Sequence, residues 1–187
     1  MEHHITAPLS REDAKKLKAG DLVYISGIIY TARDAAHKRM TDGLKAGEPL
    51  PFDIENAIVY YVGPTPPKPG QVIGSAGPTT SGRMDAYAPT LLDLGLRGMI
   101  GKGARNKEVV DAMIRNGSVY FAAIGGAAAL IARCIKSAEV VAYEDLGPEA
   151  VRRMEVENLP VIVAIDSEGG NYYEIGQQAF LKSTGKE

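Results

Sequence analysis

The stretch RGMIGKGARNKEVVDAMIRNGSVYFAA, residues 97–123, decides the fold class. Residues 97–100 predict a short strand, and residues 106–115 have the apolar spacing of an amphipathic helix. Asn116-Gly117 is a typical helix stop, and the apolar run 119–123 predicts a second strand. A strand, a helix and a strand in succession indicate an α/β fold.

The same alternation extends in both directions from this stretch. Further strands are predicted at 22–30, 57–62, 72–75, 140–142, 161–165 and 172–173. Further helices are predicted at 14–17, 33–46, 80–94, 126–132, 148–156 and 176–181. Pro89 should kink or split the helix at 80–94, and four prolines within 64–69 predict a stiff surface connection. No linker separates two cores, so we predict one domain over residues 1–187, with layered sheets and helices.

Composition excludes several classes of protein. Hydrophobic residues make up 45% and charged residues 24% of the 187 residues, which is typical of a globular chain and not of a disordered one. The net charge of -2 offers no positive field for a nucleic acid. Cys134 is the only cysteine, so neither a disulfide nor a metal cluster forms on this chain alone. No targeting signal is visible, and the longest uncharged apolar stretch, 119–132, is too short to span a membrane. We therefore expect a cytoplasmic protein.

The familiar nucleotide and hydrolase motifs are absent from the sequence. Gly101-Lys102 is followed by glycine rather than Ser or Thr, and position 96 is leucine, so a Walker loop is excluded. Neither a dinucleotide-binding glycine pattern nor a Gly-x-Ser-x-Gly elbow occurs.

The segment GPTTSGRM, residues 77–84, is the strongest candidate site. It lies between a predicted strand and a predicted helix, and hydroxyls of Thr79, Thr80 and Ser81 cluster at the helix start. Free backbone N–H groups there suit an anion, and Arg83 could clamp a carboxylate. The alternative interpretation is simple capping by Thr80 or Ser81, with Arg83 solvated.

Two further cations follow predicted strands. Arg33 opens a helix against the helix dipole, and Lys102 lies between two glycines that allow close backbone approach. An exposed lysine in a glycine-rich turn is the alternative interpretation for Lys102. The carboxyl ends of parallel strands meet at one edge of a sheet, so Arg33, Arg83 and Lys102 are expected to converge there. Three cations suit a small dianion better than a monoanion.

Five segments together resemble one family. They are TARDAAH (31–37), GPTTSGRMD (77–85), MIGKG (99–103), IGGAAA (124–129) and MEVE (154–157). Over nearly its whole length the chain is similar to the β subunit, equivalently the C-terminal domain, of class I iron–sulfur-dependent fumarase. The β subunit of L-tartrate dehydratase is the near neighbour. This resemblance implies a swivelling β/β/α domain.

The resemblance also implies a reaction, the reversible hydration of fumarate to L-malate. A [4Fe–4S] cluster held by three cysteines of an α subunit would act as Lewis acid, and an α2β2 assembly is the expected form. Matching the family's motifs gives Arg33, Arg83 and Lys102 as dicarboxylate-binding residues, together with Thr80. Thr79 falls where the family places the residue proposed to handle the C3 proton.

Other residues receive secondary roles. His37 matches a family histidine and is expected to pack or to orient Arg33, and Asp85 and Glu157 are expected to orient an arginine rather than to act as acid or base. Cys134 is interpreted as a small buried hydrophobe, and Gly125-Gly126 as a close-packing segment or an approach to the α subunit or the cluster. The basic residues Lys102, Arg105 and Lys107 alternate with acidic ones and are interpreted as a solvated helix face.

Three functions remain open from the sequence. Overall resemblance favours fumarase over tartrate dehydratase, although both substrates are four-carbon dicarboxylates. A non-catalytic module that binds a dicarboxylate is the alternative from a different class.

Overall fold

The computed structural model describes residues 1–124 and 128–184. The strands in chain order are β1 (Glu2–Ala7), β2 (Leu22–Thr31), β3 (Ile58–Tyr60), β4 (Gly98–Gly101), β5 (Val119–Ala123), β6 (Ile135–Ala142) and β7 (Val151–Ile165). The α-helices are α1 (Arg11–Lys16), α2 (Asp34–Lys45), α3 (Ala88–Asp93), α4 (Lys107–Asn116), α5 (Ala128–Cys134) and α6 (Tyr172–Thr184). Short 3-10 helices occupy Ser81–Met84 and Glu144–Glu149.

The strands form one sheet that closes on itself. Its order is β1-β2-β3-β4-β5-β7-β6, and β2 also pairs with β7, so five strands from β2 to β5 and β7 make a ring. Strands β2 to β5 are mutually parallel, and β7 is antiparallel to its neighbours. The mixed α/β class is therefore confirmed, but the described strands belong to one sheet rather than to separate layered sheets.

Strand β7 is long because it pairs along both edges. One edge follows β2 from the Leu22–Ile162 pair to the Thr31–Arg152 pair. The other edge pairs with β6 through its first half and with β5 through its second half. The four parallel strands of the ring place their carboxyl ends at the same edge of the sheet, which is where ligands bind in such folds.

Alternation along the strands produces two apolar clusters, one on each face of the sheet. Ile58 and Tyr60 of β3 belong to the cluster that the ring encloses, to which all five ring strands contribute. Val59 and Tyr61 belong to the cluster on the opposite face, where α2, α3 and α4 pack. Successive side chains of a strand point to opposite faces, which explains why neighbouring residues of this strand belong to different apolar clusters.

Helix α4 confirms the local signals in the sequence. The side chain of Asn106 accepts a hydrogen bond from Val109 N at 3.0 Å, and Gly117 has the left-handed conformation that ends the helix. The structure departs further from the single helix predicted at 80–94. It is split into the 3-10 helix Ser81–Met84 and α3, and Pro89 lies in the first turn of α3, where its missing N–H costs nothing.

Three predicted elements are wrong. Residues 148–156 contain no α-helix: the 3-10 helix ends at Glu149 and β7 begins at Val151, although the spacing of Val151 and Met154 resembles that of a helix. A register shift in the β6–β7 ladder disturbs the alternation there, and pairing on both edges overrides local propensity. Residues 72–75 form no strand, because Gly74 N and Ser75 N donate to the Thr65 loop instead of to the sheet.

The third misassigned element is the strand at 172–173. Tyr172 and Tyr173 open α6, where Tyr173 N donates to the side chain of Asn171 at 3.1 Å. This cap by the Asn171 side chain at the start of α6 outweighs the strand propensity of Tyr172 and Tyr173. Within residues 1–124 and 128–184, no helix combines the length and apolar character needed to cross a bilayer.

Candidate dicarboxylate-binding site

Three chain segments meet at the carboxyl edge of the parallel strands. Arg33 and Asp34 follow β2, and Lys102 follows β4. The segment 77–83 crosses between them, since Thr79 N donates to Tyr61 O just after β3 and Ser81 N donates to Lys102 O at 2.9 Å. The sequence placed the candidate residues at strand ends, and the parallel strands bring these ends together.

The two arginines are linked through Asp34. Arg83 Nη1 lies 3.8 Å from Asp34 Oδ2, and Arg33 Nε lies 3.9 Å from Asp34 Oδ1. Arg33 Nε also lies 3.9 Å from Glu149 Oε1, and Glu149 accepts a hydrogen bond from Ala35 N at the start of α2. At these distances the carboxylates orient the guanidiniums without hydrogen-bonding them, so the donors remain free for a ligand.

Glycines make this convergence possible. A Cβ on Gly63 would lie 3.0 Å from Arg33 Cδ and 3.2 Å from Pro148 O. A Cβ on Gly101 would overlap Ser81 Oγ, so only glycine allows the segment 77–83 to lie against the end of β4. The signal was visible in the sequence as the Gly-Lys-Gly triplet.

Two backbone amides of this segment are already engaged, so they do not serve the anion site expected at a helix start. Thr79 N and Ser81 N already donate to Tyr61 O and Lys102 O. The element that follows is a four-residue 3-10 helix, too short to provide a helix terminus with several open donors. Side chains must therefore do the binding.

Those side chains are available. In the part of the chain that the structure describes, no hydrogen bond or ion pair engages the Thr79 and Thr80 hydroxyls or the Lys102 ammonium group. Thr80 and Lys102 form an isolated parallel bridge, so their side chains leave the backbone at adjacent positions. Lys102 is exposed, Thr79 is partly buried and Thr80 is exposed.

Polar atoms without partners concentrate at the start of α2. Among the described residues, four buried side-chain polar atoms lack a hydrogen bond, and Arg33 Nε, Asp34 Oδ1 and His37 Nε2 are three of them. Buried polar groups are normally satisfied, and their accumulation at one place indicates a site that a ligand or partner completes.

His37 contacts the backbone of Arg33 from the buried side of α2. Its side chain is fully buried, Nδ1 donates to Arg33 O at 2.8 Å, and its ring packs edge-on against Tyr61. Burial lowers the pKa of His37 to about 4, and the positive charge of Arg105 acts in the same direction. The imidazole is therefore neutral at neutral pH, and it contacts Arg33 by a hydrogen bond rather than adding a charge.

Asp85 contacts Arg105, an arginine that the sequence analysis assigned to a solvated face. Arg105 Nε donates to Asp85 Oδ1 at 2.7 Å, and the Arg105 side chain is fully buried. Burial raises the pKa of Tyr61 beside this guanidinium. Arg105 precedes Asn106, the N-cap residue of α4, so it is not on the helix; that position is the signal that could have identified it.

Tyr120 was also missed. It lies in the buried strand β5, and its Oη donates to Gly103 O at 2.8 Å and lies 2.8 Å from Ser81 Oγ. A tyrosine within a buried strand requires a partner for its hydroxyl, and this requirement is the signal in the sequence.

The remaining candidates lie elsewhere or outside the described residues. Glu157, near the middle of β7, pairs with Lys136 at 3.4 Å and is exposed. Cys134 is partly buried, and burial raises the pKa of its thiol. Gly125 and Gly126 lie outside the described residues. Within residues 1–124 and 128–184, no three His, Cys, Asp or Glu side chains are grouped to hold a metal ion.

The site as a whole carries a positive balance. Arg33, Arg83 and Lys102 supply three positive charges, which the carboxylates of Asp34 and Glu149 only partly offset. Two planar guanidiniums and one ammonium group can bind two separate carboxylates of one small ligand.

Comparison with known proteins identifies relatives of this arrangement. The family model described as "Fumarase C-terminus" matches residues 2–176. A Methanocaldococcus jannaschii protein named, provisionally, as the beta subunit of L(+)-tartrate dehydratase is 45% identical over 172 residues, which cover 89% of this chain and 88% of that protein.

Fumarate hydratases are similar over a shorter part of their length. "Fumarate hydratase 1, mitochondrial" of Leishmania major is 43% identical, and "Fumarate hydratase class I, aerobic" of Escherichia coli K12 is 40% identical. Each alignment covers 80% of this chain but only 28% of the relative. The chain thus spans less than a third of these fumarate hydratases and most of the tartrate dehydratase relative.

Proposed function

The chain belongs to the fumarase C-terminus family, and from this premise we propose that it is the β subunit of an iron–sulfur hydro-lyase. The substrate pair that we propose is fumarate and L-malate, bound at an active site that a cluster-bearing α subunit completes. The family relationship supports hydro-lyase chemistry, since its members at 40–45% identity are named as fumarate hydratases and a tartrate dehydratase subunit.

One observation carries the proposal. Arg33 and Arg83 lie against the same Asp34 carboxylate, and Lys102 follows a neighbouring parallel strand beside Thr80. Cations gathered at one edge of the sheet suit the two carboxylates of a four-carbon diacid, and the exposure of Arg83 and Lys102 suits a site that a second protein surface covers.

The proposed roles follow from the chemistry of each side chain. Arg33, Arg83 and Lys102 bind the substrate carboxylates, and the Thr80 hydroxyl contributes a hydrogen bond. Thr79 is the proposed proton-transfer residue at C3. A free hydroxyl is a weak base, so nearby positive charge from Arg83 and Lys102 must stabilise its deprotonated form.

The residues of this chain do not fit a [4Fe–4S] cluster. Cubane clusters require three or four thiolates, whereas Cys134 stands alone and its Sγ lies 3.6 Å from Asn158 O, to which it donates. Burial raises the pKa of Cys134, which opposes thiolate formation. We therefore assign the [4Fe–4S] cluster to the α subunit, and α2β2 is the proposed assembly.

L-Tartrate is the second candidate substrate. The relative named as a tartrate dehydratase beta subunit matches this chain over 88% of its own length, whereas the fumarate hydratases are much longer. This near-complete overlap is the observation that supports L-tartrate. A non-catalytic dicarboxylate-binding module is the remaining alternative.

The proposal extends to the architecture and the cellular context. Residues 1–187 would form a single domain of the swivelling β/β/α class, for which the closed sheet with α2, α3 and α4 packed on one face is the supporting feature. The cytoplasm is the proposed compartment, because an oxygen-sensitive cluster enzyme with one cysteine in this chain suits reducing conditions.

Reconstitution tests these assignments. The chain is mixed with its α partner, the cluster is reconstituted without oxygen, and hydration of fumarate is compared with dehydration of L-malate and L-tartrate. We expect activity with fumarate and L-malate that neither subunit shows alone. Higher kcat/KM with L-tartrate would favour the second candidate, and dicarboxylate binding without turnover would favour the non-catalytic module.

A further inference from the structure

The candidate binding residues Thr80, Arg83 and Lys102 are exposed, but buried side chains hold the segments that carry them. We define the buried arginine cluster by five residues: Arg105, Asp85, Tyr61, Tyr120 and Ser81. Arg105 lies between the rings of Tyr61 and Tyr120, with its guanidinium carbon 5.3 Å and 4.9 Å from the two ring centres. It also donates to Asp85 and to Tyr61 Oη. Its charge is therefore compensated without water.

The cluster joins the two segments that form the candidate site. Asp85 accepts from Arg105 Nε at 2.7 Å and from Asn106 N at 2.8 Å, which ties the end of segment 77–85 to the start of α4. Tyr120 ties Ser81 to Gly103 in the same way. Asp85 thus connects segment 77–85 to Arg105 and Asn106, and Tyr120 connects it to Gly103.

The hydrogen-bond directions at Tyr120 follow from its single proton. Gly103 O can only accept, so Tyr120 Oη donates to it. Ser81 Oγ must then donate to Tyr120 Oη. This chain of two hydrogen bonds is fully directed, and removing either hydroxyl leaves a buried polar group without its partner.

We propose that Ser81 and Tyr120, held by Arg105, are positioning residues that set the spacing between Thr79–Arg83 and Lys102. Thr80 is adjacent to Ser81, and Lys102 is adjacent to Gly103. A shift at Ser81 or Gly103 therefore moves Thr80 or Lys102 relative to the other binding residue. This inference rests on the proposed function and adds to it residues that do not touch the substrate.

Ser81→Ala and Tyr120→Phe test the proposal without removing the buried charge. Each deletes one hydroxyl and retains the packing around Arg105. Ser118→Ala is the matched control, because Ser118 is equally buried and its hydroxyl donates at 2.9 Å to Leu96 O, which belongs to neither segment 77–85 nor segment 101–106. Ser81→Ala and Ser118→Ala each lose one buried hydrogen bond and should lose similar stability, whereas Tyr120→Phe loses two.

Two measurements separate positioning from general stability. In the assembled enzyme we expect Ser81→Ala and Tyr120→Phe to raise KM about tenfold, the change expected for weakened charge-assisted contacts. In the isolated chain, amide exchange at Thr79 and Ser81 should accelerate about tenfold in Tyr120→Phe. Ser118→Ala should change neither quantity.

The outcomes keep the two proposals apart. An assembled wild-type enzyme that turns over none of the three substrates overturns the proposed function. Amide exchange in the isolated chain still decides whether the buried arginine cluster holds segments 77–85 and 101–106 together. Unchanged exchange at Thr79 and Ser81 in Tyr120→Phe overturns the positioning inference. An equal rise of KM in Ser118→Ala, which would mean general loosening, overturns it as well.

Discussion

The guanidinium of Arg83 is more than half exposed, and its ionic contact is Asp34 at 3.8 Å. Arg83→Lys keeps the charge but loses the planar fork that grips a carboxylate at two points. In the assembled enzyme we expect KM to rise about ten- to a hundredfold with kcat little changed, because the contact exists in both ground and transition states. Arg39→Lys, at an exposed arginine of α2 that pairs with Asp145, is the control and should leave KM unchanged.

Thr79 tests proton transfer separately from binding. Thr79→Val removes the hydroxyl at nearly constant volume, and its backbone bond to Tyr61 O is retained. We expect kcat to fall by about 10² to 10⁴, the usual contribution of general acid–base catalysis, with KM little altered. Thr90→Val, at an exposed threonine of α3, is the matched substitution. A Thr79→Val enzyme that keeps most of its kcat would remove the proton-transfer role.

His37 predicts a pH dependence of stability. Its pKa is about 4 in the folded chain against an ordinary histidine pKa of about 6.5, so its contribution to stability is fully present above pH 6.5 and is lost as the pH falls towards 4. Between pH 7.5 and pH 5 the free energy of unfolding should fall by about 2 kcal/mol from this residue. Urea unfolding of His37→Asn, which retains a donor towards Arg33 O, should lack this component. An identical pH slope in the variant would contradict the assignment.

At the scale of elements, the capping of α4 is a separate prediction. Asn106→Ala removes the side chain that accepts from Val109 N, and we expect the free energy of unfolding to fall by about 1 kcal/mol. Asn106→Ser keeps an acceptor and should lose less. The backbone contact from Asn106 N to Asp85 is unaffected by either change, so urea unfolding should report the cap alone. Equal losses in both variants would argue against capping.

Elements with strong local signals were predictable, and those fixed by distant pairing were not. Helix α4 carries its own start and stop at Asn106 and Gly117. The first half of β7 is a strand only because β2 and β6 pair along its two edges, which no local pattern records. The candidate site likewise has residues that local sequence signals identify and residues that only distant contacts explain.

Motif resemblance and strand ends identified Arg33, Arg83 and Lys102 as candidates. Arg105 escaped notice because a charged residue is rarely expected in a core, and only its contacts with Asp85 and Tyr61 explain its burial. The use of the Thr79 and Ser81 amides in backbone bonds likewise depends on Tyr61 and Lys102, which are distant in sequence.

At the scale of the whole molecule, the closed ring predicts the pattern of amide protection. Residues 22–25 of β2 pair with both β1 and β7, and residues 152–156 of β7 pair with both β2 and β6, so their amides should exchange only through global unfolding. In the described part of the chain β6 pairs on one edge only and is mostly exposed, and its amides should exchange faster. Exchange measured by NMR in deuterated water checks this order. Equal protection of β6 and β2 would contradict it.

The pairing of β2 with β7 also has a consequence for synthesis on the ribosome. Thr31 of β2 pairs with Arg152, and Leu22 pairs with Ile162, so partners are made more than a hundred residues apart. While the nascent chain is shorter than this, one whole edge of β2 has no strand beside it, and the ring cannot close. Closure must therefore wait until β7 has left the exit tunnel, and until then β2 exposes an edge of the kind that can pair with other chains.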